Sequence, residues 1–186
     1  MTAVDAGWIR PEPGWTCPEC GFDFDACVPS ATPQTIEQLG GRYRIPLSRG
    51  LAGEDLDALL RTRPAGGGWS ALEYACHVRA VFSLHIALIQ RIVTEDQPSL
   101  ESGNRDDVAV DHDYNGQDPA VVAEELAAAA TTLSARLSSV SDDAWLRVGR
   151  RGDFEMTIEW MSRNAVHEGT HHLLDIARAL RSARGR

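Results

Sequence analysis

Two of the six histidines, His167 and His171, stand four apart in Val166-His167-Glu168-Gly169-Thr170-His171-His172. On a helix this spacing stacks two imidazoles one turn apart on one face, within reach of a single metal ion. Trp160, Asn164 and Leu174 lie along the same line, so the pair is expected to face the interior. A third imidazole would give three nitrogens and an open position, the form a catalytic metal site takes. Two residues compete for that place. His77 shares a helical line with Val81, Leu84 and Leu88. His85 lies eight residues further on, about 12 Å along a helix, so only one of the two can serve the ion. Three buried imidazoles would otherwise each need a partner of their own. His112 falls in a polar stretch. His172 is turned about 100° from His171 and is expected to bond a neighbour.

The same segment reads His-Glu-x-x-His, the pattern of metallopeptidases in which the Glu is the general base. The extended form of that motif needs a histidine where this chain has Ala177. Glu168 is therefore read as a residue behind the ligands or on the helix surface. A separate candidate lies near the N-terminus. Cys17-Pro18-Glu19-Cys20-Gly21 has the form of a zinc knuckle, two thiols flanking a tight turn that turns backbone N–H groups toward sulfur. Cys27 is a possible third ligand, and no second Cys-x-x-Cys follows. Free thiols are the alternative. Cys76, about 100° round a helix from His77, reads as a core thiol.

The elements that must position these residues follow from pattern and punctuation. Residues 1–31 hold Cys17, Cys20 and Cys27 with four prolines and no helical period, and form an irregular arm. The domain proper is 32–186. Thr32-Pro33 opens a first helix toward Leu47, weakened by Gly40-Gly41. A short helix covers 54–60, and Pro64 to Gly68 break the chain. Ser70-Ala-Leu-Glu73 is a capping box opening a second long helix whose apolar stripe runs from Leu72 to Val93. Residues 96–117 read as a long polar loop. Asp118-Pro119 starts a third long helix, Gly149 to Asp153 make a turn or small hairpin, and a last helix spans about 157–181. Four amphipathic helices make this an all-α four-helix bundle.

Composition narrows the partners. The chain is 43% hydrophobic, which excludes global disorder. The net charge of -9 argues against nucleic acid, whose phosphates need a basic surface. No leader-like or membrane-spanning run is read, so a cytoplasmic protein with no membrane partner is expected, a homodimer being possible.

Two stretches together resemble the DinB-like family of bacterial metal-binding bundles. Gly68-Trp69-Ser70-Ala71-Leu72-Glu73-Tyr74-Ala75-Cys76-His77 is similar to the family's Trp-Ser-then-His element. His167-Glu-Gly-Thr-His171-His172-Leu-Leu-Asp-Ile is similar to its His-x-x-x-His-His element. The resemblance covers roughly 33–182 and does not include the cysteine arm. It implies an up-down bundle with a divalent ion on His77, His167 and His171: zinc first, with nickel, manganese or iron as alternatives. It also implies a thiol-dependent enzyme, an S-transferase joining mycothiol or bacillithiol to a small electrophile. The lysine-free, Ala- and Arg-rich composition suits a high-GC genome and points to mycothiol. A non-catalytic metal-binding stress-response protein on the same bundle and a His-Glu-x-x-His peptidase are the competing readings.

Overall fold

The computed structural model describes residues 14–100 and 103–185. The first thirteen residues of the expected arm lie outside it. Six α-helices and one hairpin follow in chain order: α1 (Thr32–Ser48), α2 (Leu56–Arg61), α3 (Ala71–Thr94), α4 (Arg105–Asp111), α5 (Pro119–Ser138), β1 (Val148–Arg151), β2 (Phe154–Thr157) and α6 (Ile158–Ala183). The four long helices form the bundle. α1 packs on α5 and α6, and α3 packs on the same two, so α1/α3 and α5/α6 lie diagonally across it. The connections 49–70 and 139–157 are long enough to cross a bundle end, whereas a short helix–helix turn would make sequence neighbours into spatial ones.

Local chemistry sets the helix ends. Ser70 accepts from the Glu73 backbone N–H while the Glu73 carboxylate accepts from the Ser70 N–H, the complete capping box. Arg63 donates to the same carboxylate from outside the helix. Asp118 accepts from the Ala120 and Val121 N–H groups ahead of α5, and Thr157 from that of Trp160 ahead of α6. At the other end of α3, the Arg147 guanidinium donates to the carbonyls of Ile92 and Glu95.

The core lies between the long helices and includes Ile36, Leu39, Tyr43, Leu72, Phe82, Ile89, Leu126, Leu133 and Met161, all essentially inaccessible. α3 is long and apolar enough to cross a membrane by length and composition, yet much of it is buried inside the bundle. Gly40, which the sequence marks as a weak point of α1, has a packing role. A Cβ there would sit 2.6 Å from that of Ala130 and 3.2 Å from the Ala127 Cα, so glycine permits α1 and α5 to approach closely.

The stretch expected to be a loop over 96–117 contains α4 and a short 3-10 turn, Tyr114–Gly116. Asn104 accepts from the Asp106 and Asp107 N–H groups and so starts α4. A seven-residue helix is too short to display a period, and its Asp-rich first turn reads as solvent-facing loop. The hairpin expected around Gly149 to Asp153 is present, with Gly149 opposite Met156.

Candidate metal centres

α6 carries both ligand sets, because its motif contains two pairs spaced by four residues and offset by one. His167 and His171 form one pair. Glu168 and His172 form the other, about 100° further round the helix. The first pair faces the arm and the second faces α3. The structure therefore distributes the expected ligands over two clusters, which a third group of donors, His171, His172 and Asp175, bridges. His77 shares a cluster with Glu168 and His172, while His167 and His171 share one with Cys17 and Cys20. Cys27 joins neither; its carbonyl instead accepts from Arg163 Nε at 2.9 Å.

In the bundle cluster the donor atoms of His77, Glu168 and His172 lie within 4.8 Å of one another. Glu168 Oε2 is 3.2 Å from His77 Nε2 and 3.2 Å from His172 Nε2. Glu168 is thus off the helix surface and lies between two imidazoles. It points inward with His172, where α6 meets α3. Asp175, one turn on, holds His172 by its other nitrogen, with Oδ2 2.9 Å from Nδ1. That leaves Nε2 of His172 directed at the cluster, the role carboxylates play behind metal-bound imidazoles. The walls are aromatic. Trp69 lies 5.1 Å from the His77 ring, Tyr74 stacks on His172 at 5.3 Å, and Arg105 of α4 sits over Trp69 at 5.6 Å.

Electrostatics bind this cluster tightly. Burial would raise the Glu168 carboxyl, but hydrogen bonds from His172 and His77 outweigh it and hold the group well below its ordinary range. Burial likewise disfavours a charged His172, yet Asp175 and Glu168 overcome it and push the imidazole up to about 9. His77 is lowered, chiefly by burial. Without an ion the cluster is thus a carboxylate–imidazolium–carboxylate chain, and a cation would take the place of the proton on His172 Nε2. Two imidazoles and a carboxylate suit zinc, and equally iron(II).

The arm cluster gathers Cys17, Cys20, His167 and His171, all four donor atoms within 4.8 Å of one another. Cys17 Sγ lies 3.5 Å from His171 Nδ1. The knuckle closes through Gly21, whose N–H donates to the Cys17 carbonyl at 2.8 Å with φ of +73°. Cys17 N–H donates to the Phe22 carbonyl, and the Phe22 N–H is directed at Cys20 sulfur. Burial pushes the Cys20 thiol up to about 11. Trp15, Phe22 and Phe24 surround the His167 ring at centroid distances of 5.7, 5.3 and 5.6 Å. His167 Nε2 is buried with no hydrogen-bond partner.

The remaining histidines stand apart. His85 is fully buried in α3 and lowered by burial to about 4, and among the described residues it belongs to no donor cluster. His112 caps the C-terminus of α4. Cys76 is buried, its thiol pushed up to about 12. The sequence points to Glu168 and His172 only as neighbours of the ligands and does not single out Asp175. Their signal was the second i, i+4 pair, with an acid three and four residues beyond the two adjacent histidines.

No curated protein matches the chain. A solved structure does: YfiT from Bacillus subtilis, described as "a probable metal-dependent hydrolase with an unusual four-helix bundle topology". The two share 18% identity with a TM-score of 0.74, over 82% of this chain and 86% of that one, so the likeness is one of fold. The sequence model of the DinB superfamily matches residues 49–176, from before α2 to near the end of α6. That span takes in His77, Glu168, His171, His172 and Asp175 and leaves the cysteine arm outside, as the resemblance of the two His-bearing elements implied; this chain belongs to the DinB superfamily.

Proposed function

We propose that the chain is a divalent-metal-dependent enzyme centred on His77, Glu168 and His172, and that it joins a low-molecular-weight thiol of the mycothiol or bacillithiol type to a small electrophile. One observation carries the enzyme reading. Three donors, His172 buried and His77 and Glu168 mostly so, converge with no fourth protein donor in their cluster among the described residues, which leaves a coordination position for an exogenous group. A divalent ion there supplies Lewis acidity that lowers the pKa of a thiol or water beside it. The chain's own part is to hold and orient. Asp175 holds the direction of His172, Glu168 brings one negative charge against the two of the ion, and Trp69 and Tyr74 pack against the two imidazoles. The thiol enters from the family resemblance, not from a binding group in this chain.

The His-Glu-x-x-His peptidase loses support from the geometry, since Glu168 pairs with His77 and His172 instead of sitting as a base beside an ion on His167 and His171. Hydrolysis of a smaller substrate is the second reading, favoured by the description of YfiT. Stripping the protein with a chelator, reloading zinc, and offering a chlorinated aromatic with and without a small thiol separates the two. Conjugation that needs both ion and thiol is the expected result. Ester or amide cleavage that needs the ion alone would replace the transferase with a hydrolase. No ion-dependent rate on any of these would leave a metal-binding protein.

A further inference from the structure

We propose that Cys17, Cys20, His167 and His171 form a second metal site, a closed tetrahedral zinc clip that fastens the N-terminal arm to α6. It uses none of the donors of the bundle centre and does not rest on the enzyme reading.

Four donors from two distant parts of the chain converge here. The arm supplies two from a knuckle and α6 supplies two from successive turns. Tetrahedral zinc with a Zn–S bond near 2.3 Å and a Zn–N bond near 2.0–2.1 Å separates sulfur from nitrogen by about 3.5–3.6 Å. Cys17 Sγ and His171 Nδ1 are 3.5 Å apart. A thiol–imidazole hydrogen bond would explain that one contact. It would not explain why Cys20 and His167 converge on the same point, or why a buried His167 nitrogen has no partner. The donor set, two thiolates and two imidazoles, is a structural zinc set with no position left for substrate. On binding, the two thiols give up their protons and the ion takes four ligands, so the site is neutral overall.

The surroundings are built for the same end. Three aromatic rings pack around His167. Asp175 Oδ2 lies 3.3 Å from His171 Nε2, opposite the nitrogen that faces Cys17. Arg178 joins Asp175 to the Glu19 side chain and carbonyl between the two cysteines. Asp175 thereby touches a ligand of each site, since the same oxygen holds His172. The clip therefore steadies the residue that orients a ligand of the bundle centre.

Cobalt(II) is the probe. The untagged full chain should bind two equivalents and show the intense sulfur-to-cobalt charge-transfer band of a tetrahedral thiolate site. Cys17→Ser and His171→Ala should each lose that band and one equivalent while far-ultraviolet circular dichroism keeps the helical signal. His77→Ala should lose the other equivalent and keep the band. His167→Cys should keep a tetrahedral spectrum with a stronger charge-transfer band, a gain that no purely packing role predicts and that holds even if alanine variants fold poorly. Absence of a thiolate band in the wild type would overturn the proposal. So would a band that survives His167→Ala and His171→Ala together but disappears in Cys27→Ser, since the third cysteine would then be the ligand.

Discussion

The two clusters on α6 share a helix and an orienting acid, and differ in nearly everything that decides what a metal does. The arm cluster has four donors, two thiols from a segment outside the family's matched span and two imidazoles from α6 inside it. The bundle cluster has three, all imidazole or carboxylate, drawn from two helices inside it. Four donors close a site and hold chain segments together, whereas three leave room for chemistry. A one-residue offset along the helix is enough to separate the roles, because neighbouring i, i+4 pairs point about 100° apart. A single His-rich motif thus addresses both the arm and the bundle.

The sharpest way to break this contrast is to remove one ligand at a time from the open site. His77→Ala and Glu168→Gln should abolish ion-dependent turnover, a loss larger than the about 10–100-fold that changes behind the ligands produce. Both should leave the thiolate–cobalt band nearly unchanged, measured on the same samples. If Glu168→Gln kept full activity, Glu168 would not be a ligand and the open site would lose its carboxylate.

Asp175→Asn probes what the two sites share. Asp175 hydrogen-bonds His172 and lies against His171, so the amide should weaken metal affinity at both, by about 10–100-fold. Competition with a calibrated chelator reads each site separately, since only one carries the thiolate band. Weakening at the bundle centre alone would show that Asp175 does not steady the clip.

Gly40→Ala is the control for general loss of stability. The added methyl would meet Ala130 at 2.6 Å and the Ala127 backbone at 3.2 Å. Overpacking of this kind costs about 1–3 kcal/mol, partly offset by about 1 kcal/mol of helix propensity. Denaturant unfolding should show a net loss of up to about 2 kcal/mol with both metal stoichiometries intact, because α1 and α5 contribute no ligand.

The fold was legible because its signals are local. The Ser70–Glu73 box, the Thr32-Pro33 and Asp118-Pro119 starts and the apolar periods each depend on a few adjacent residues, and each sits where the sequence placed it. α4 was missed because seven residues cannot show a period. The residue types at the sites were legible too, but not their grouping. Spacing places His167 and His171 on one face without stating what that face meets. The answer came from the arm, about 150 residues away, through a contact that no local pattern encodes. Glu168 was set aside because the peptidase motif offers it only one role, as a base, whereas its helical phase matches that of His172.

The smallest expected effect tests whether the open site depends on α3 alone. Glu73 begins that helix one turn before His77, and its carboxylate accepts from both Arg63 and the Ser70 backbone. Burial would raise its pKa, yet those hydrogen bonds lower it below the ordinary value of 4.5. A carboxyl whose folded pKa is depressed stabilises the folded state above its unfolded pKa, and that contribution is lost as pH falls through the folded one. Glu73→Gln should keep the cap's shape and lose its charge, costing about 1 kcal/mol at pH 7. The difference between wild type and variant should shrink toward zero as unfolding is measured from pH 7 down to below the ordinary carboxylate range. A frayed first turn of α3 moves His77 but none of Cys17, Cys20, His167 or His171. The variant should therefore bind the bundle ion slightly more weakly while the thiolate–cobalt spectrum stays the same. An equal change at both sites would mean that the two centres are held by one rigid frame and that the division of labour along α6 is less complete than the donor sets imply.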